Sequence, residues 1–95
     1  MPSSQDYLTY ALDLLRLVPN VSDKKMMGEY LLYADDLLFG GVYDDRFLIK
    51  KTPGTASFAL KEAIPYPGAK PMLIVDIEDA YEVERIVLAV LEDLK

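Results

Sequence analysis

Apolar residues in the first segment, residues 3–18, fall at Tyr7, Leu8, Ala11, Leu12, Leu14, Leu15 and Val18, which makes one broad helical face. Ser3 followed by Asp6 suggests a capping box with an acid in the usual Glu position, and Pro19-Asn20 suits the stop. The pattern then changes to strands. Between Lys24 and Lys50 two acidic turn signals, Asp35-Asp36 and Asp44-Asp45, separate runs rich in Leu, Tyr, Phe, Val and Ile, the mark of an antiparallel meander. The predicted strands cover residues 24–28, 30–34, 37–43 and 46–50. In the third, Leu37, Phe39, Gly41 and Tyr43 should face one way and Leu38, Gly40 and Val42 the other.

Gly28 separates the first two strands without a full turn sequence, so a bulge, bend or close backbone approach is expected there instead of a clean hairpin. Gly40-Gly41 leaves a flat patch for a helix or an aromatic ring to cover. Residues 55–63 read as a short, weakly amphipathic helix. In residues 64–71, IPYPGAKP, Pro67-Gly68 suits the centre of a type II turn. The consecutive apolar run Met72, Leu73, Ile74 and Val75 fits a strand covered on both faces and central in the sheet. A final helix begins near residues 76–79 and buries Ala80, Val83, Ile86, Val87, Val90, Leu91 and Leu94. The expected architecture is α+β, in the order α-β-β-β-β-α-β-α, an antiparallel meander with the terminal helices packed on the sheet.

Ninety-five residues suit one domain, 1–95, and a composition 52% hydrophobic and 27% charged is that of a globular chain. No apolar run is long enough for a transmembrane helix, and the N-terminus lacks signal-peptide features, so no membrane association and a cytoplasmic location are expected. The net charge of −6 is uneven: residues 77–95 carry six acids against Arg85 and Lys95, whereas residues 23–71 carry seven acids and seven bases. Direct nucleic-acid binding is therefore disfavoured unless Lys24, Lys25, Arg46, Lys50 and Lys51 form a local patch.

Candidate chemistry is sparse. With neither Cys nor His, thiolate chemistry, a Ser-His triad and the usual zinc ligands are all missing. The paired aspartates read as turn formers, not metal ligands, and the glycines follow no phosphate-loop spacing. No cofactor or metal is expected, and nothing favours an enzyme. Aromatic residues are more informative. Tyr30 and Tyr33, three apart, should point to opposite faces of a strand, leaving at least one outside a single-sided core. Tyr43 and Tyr66 add amphipathic rings of the kind used at partner surfaces, with the plain alternative that helices cover both faces. Arg46, Lys50 and Lys51 are expected to form a basic edge, a feature that more often prevents strand pairing than recognises anything.

The runs MMGEYLLY, FGGVYDDRFLIK and YPGAKPM resemble the N-terminal domain of the TfoX/Sxy family. Met26, Gly28, Tyr30, Tyr33, Asp44, Asp45, Arg46, Lys50, Tyr66, Lys70 and Pro71 match the family pattern; Met27 replaces an aromatic residue, and Glu29 and Leu31 replace glycines. The resemblance implies a fold similar to secretion chaperones and a role in regulating competence genes and DNA uptake, as a protein partner of transcription machinery. It also implies a second, helical domain in longer members, expected to be absent here. The expectation is thus a non-enzymatic regulatory or adaptor domain, with homodimerisation suggested by small size and apolar surplus. Candidate surface residues are Tyr30, Tyr33, Tyr43, Arg46, Lys50, Tyr66 and Lys70. The alternative is a small-molecule sensor or enzyme with a pocket between the meander and the C-terminal helix, where Gly40-Gly41 makes room and Tyr33 or Arg46 supplies a polar handle.

Overall fold

A computed structural model describes residues 3–95. Helix α1, Gln5–Leu14, precedes a meander of β1 (Val21–Met26), β2 (Glu29–Ala34), β3 (Leu37–Val42) and β4 (Phe47–Ile49). A 3-10 helix at Pro53–Phe58, edge strand β5 (Glu62–Ala63), strand β6 (Met72–Ile74) and helix α2 (Ala80–Leu94) complete the chain. The six strands form one antiparallel sheet in the order β1-β2-β3-β4-β6-β5. The α+β architecture and its terminal helices follow the apolar pattern, but β6 is not central: it lies between β4 and the two-residue edge strand β5, with Leu73 buried and Met72 and Ile74 partly exposed.

Helix α1 is shorter than its apolar face. After Leu14 the backbone tightens into three-residue steps, with Arg16 N–H donating to Asp13 O and Val18 N–H to Leu15 O, yet Leu15 and Val18 remain buried. The N-cap is Ser4, whose Oγ accepts from Tyr7 N–H at 3.1 Å; the Ser3 hydroxyl is engaged by Glu29 and Asp45 instead. Asp79 caps α2 in the same way, accepting from Tyr81 N–H at 3.0 Å.

The meander is built from three two-residue turns. Met27-Gly28, Asp35-Asp36 and Asp44-Asp45 all have positive φ at both positions, the type I′ geometry whose twist matches that of the flanking strands. The Gly28 position is therefore a tight hairpin, not a bulge or bend: Gly28 at φ 84° needs no Cβ relief, and Met27 tolerates φ 53°. A bulge occurs further on. Leu32 pairs with Gly40 but Tyr33 with Leu38, so Phe39 is an extra residue in β3. The strict alternation expected of β3 is broken there, which is why Phe39 and Val42, three apart, are both fully buried in one core.

That core lies on one face of the sheet. Tyr30, Leu32 and Ala34 of β2 and Phe47 and Ile49 of β4 meet Leu8, Ala11 and Leu14 of α1 and Val83, Ile86, Val87 and Val90 of α2. Each such fully buried aliphatic or aromatic side chain contributes about 1.5–3 kcal/mol. The expected helix over residues 55–63 is instead the 3-10 helix, opened by Pro53 and ended by Ala59 in the left-handed region at φ 54°; residues 62 and 63 then pair with β6.

Candidate functional site

Among the described residues the opposite face of the sheet carries no helix. Register places Leu31, Gly41, Leu48 and Ile74 in one row across it and pairs Tyr33 with Leu38 on the same side. Residues 64–71 arch over this outer face. Their turn is the expected type II, with Ala69 N–H donating to Tyr66 O at 3.1 Å and Gly68 at φ 88°. Arg46 anchors the entry to the arch: its guanidinium donates to Ile64 O at 3.0 Å, Pro65 O at 3.4 Å and Tyr43 O at 3.2 Å.

Beneath the arch lies a cavity of about 400 Å³. Leu38, Gly40 and Tyr43 of the meander form its floor, Pro65, Tyr66, Ala69 and Met72 its apolar wall, and Lys50, Lys51 and Lys70 its charged rim. No acidic residue lines it. The glycine pair makes this floor possible. A Cβ at Gly40 would come within 2.3 Å of the Leu48 carbonyl oxygen, and one at Gly41 within 2.7 Å of the Tyr43 ring. The Tyr43 ring thus lies across Gly41, as the flat patch requires, and stands 6.3 Å from the Tyr66 ring centroid. Burial first, and then charge repulsion with Tyr66, Glu29 and Tyr33, raises the Tyr43 hydroxyl above its ordinary pKa.

Four of the seven candidate residues, Tyr43, Lys50, Tyr66 and Lys70, meet in this cavity. Arg46 lies in a neighbouring depression on the other side of Tyr66, with Glu29 and Asp44, and its guanidinium is committed to backbone carbonyls. Tyr33 lies on the outer face beside the site. Tyr30 is a correction: only 7% exposed, it packs in the core on the helix side, because β2 alternates regularly and Leu32 and Ala34 share its face. The pocket expected between the meander and the C-terminal helix also changes place, since no residue of α2 lines the cavity and that interface is packed with apolar side chains. The sequence reading missed Leu38, Ala69 and Met72, which carry no signal beyond being apolar or small.

Among the described residues no group of three or more Asp and Glu side chains is placed to hold a metal ion, and no helix is long and apolar enough to cross a membrane. The aspartate pairs do structural work, as expected, though through more distant partners. Asp45 accepts from Ser4 N–H at 2.8 Å, and Asp35 from the Asn20 amide at 2.6 Å. Over residues 13–82 the chain matches the TfoX N-terminal domain family. It is also similar to an uncharacterized 12.7 kDa protein in trpE 5'region of Spirochaeta aurantia, with 33% identity over 84 residues that cover 84% of this chain and 73% of the relative.

Proposed function

The chain belongs to the TfoX N-terminal domain family, and from that premise we propose that it is a non-enzymatic regulatory domain that binds a protein partner through the arch of residues 64–71 and the sheet face beneath it. The family's link with competence regulation supports a regulatory role. The observation that carries the reading is the arrangement of Tyr43, Tyr66, Lys50 and Lys70 around one concavity. Amphipathic rings that present both an apolar body and a polar tip suit recognition. Tyr66 is 58% exposed at the crest of the arch.

A photo-crosslinking amino acid placed at Tyr66, and separately at Tyr81 on α2, tests this in cells. Tyr81 is 71% exposed, so it controls for random encounter. A discrete adduct from position 66 and none from position 81 is the expected result. Equal adducts from both positions, none from either, or turnover of a defined metabolite by the purified chain would contradict the reading.

A further inference from the structure

The charge of the cavity runs against that of the molecule. Sixteen acids outnumber ten bases in the chain, yet three of those bases border this one concavity and no acid does. Lys51 is partly neutralised by an ion pair with Glu62, whereas among the described residues Lys50 and Lys70 make none. Lys50 and Lys70 thus border a largely apolar concavity without an acidic partner. That arrangement suits an anion.

We propose that the cavity binds a small organic anion, a flat ring bearing a phosphate or carboxylate groups, with the ring against Tyr66 and the charge between Lys50 and Lys70. The volume of about 400 Å³ falls in the range of small-ligand sites, roughly 300 to 1,000 Å³, and the apolar wall with a few polar groups matches their make-up. Lysines act as compact point charges and accept phosphate and carboxylate alike. A long polyanion is disfavoured by the chain's net charge of −6. The arch is already held open by Arg46 and by the turn at Gly68, so little ordering is needed on binding. The proposal takes from the functional reading only that this face binds instead of catalysing.

Titration of the isotopically labelled full chain with phenyl phosphate, isophthalate and neutral benzyl alcohol, followed by NMR, tests it. Saturable shifts at the amides of Lys50, Ala69 and Lys70 are expected with at least one anion, and the preferred anion separates phosphate from carboxylate recognition. The paired substitution Lys50→Gln/Lys70→Gln should weaken that anion about tenfold and leave benzyl alcohol unchanged, with α2 amide signals confirming the fold. If the variant is unfolded, the same discrimination must appear as loss of anion binding to the wild-type chain at high salt. No saturable shift with either anion, equal binding of benzyl alcohol, or an affinity indifferent to both lysines and salt would overturn the proposal. Failure here leaves the adduct at position 66 untouched, so the two readings fall separately.

Discussion

Glu29 accepts three hydrogen bonds at once, from Ser3 N–H at 2.8 Å, Ser3 Oγ at 2.7 Å and Asp44 N–H at 2.9 Å. It thereby ties the start of α1 to the tips of two hairpins. The carboxylate found here comes with its own donors. Hydrogen bonds to a charged group are worth about 1.5–3 kcal/mol each at best, less where water competes. Glu29→Ala should therefore lower the unfolding free energy by about 2 kcal/mol, with Glu29→Gln recovering part of it, as read by urea denaturation. A change below about 0.5 kcal/mol would mean that water satisfies Ser3 equally well. Nothing in the sequence marks this clamp, because Ser3 and Glu29 are 26 residues apart and neither sits in a motif with the other. Tyr30 and Tyr33 were half legible: their spacing puts them on opposite faces, but only the position of the helices decides which ring is buried.

The elements were legible where the side-chain period is long and unbroken. Helix α2 buries the stripe its spacing predicts, from Ala80 to Leu91. Legibility fails where one residue resets the phase, as the Phe39 bulge does in β3, or where a tight turn lacks turn-forming residues. Met27 is the plainest case. It occupies the left-handed region at φ 53° and is 96% exposed, so it carries the conformational cost without packing against anything. Met27→Asn would create the Asn-Gly pair favoured by this turn and should stabilise the chain by about 1 kcal/mol, visible as a raised urea midpoint with an unchanged slope. No gain would show that Met27 contributes through the unfolded chain instead. The 3-10 helix was misread for a related reason: Ala59 in a left-handed conformation gives no compositional warning.

At the scale of the whole molecule, the sheet divides its labour between two faces. One is covered by α1 and α2 and supplies cohesion; the other is spanned by the arch of residues 64–71 and leaves a basic, aromatic-lined concavity in an acidic protein. This division was not readable from the chain, since Leu38, Lys50 and Tyr66 come from separate elements and meet only once the sheet order is set. It has a direct consequence. Residues of the arch and rim should matter for recognition far more than for folding, the reverse of what holds for Phe39 or Val87. The most direct measurement combines two readouts on one protein, Lys50→Gln/Tyr66→Ala: its unfolding free energy, and its ability to compete for the adduct formed by the crosslinker at position 66. The account predicts stability within about 1 kcal/mol of wild type, with competition lost. Full competition by the variant, or a loss of stability large enough to explain its failure, would contradict it.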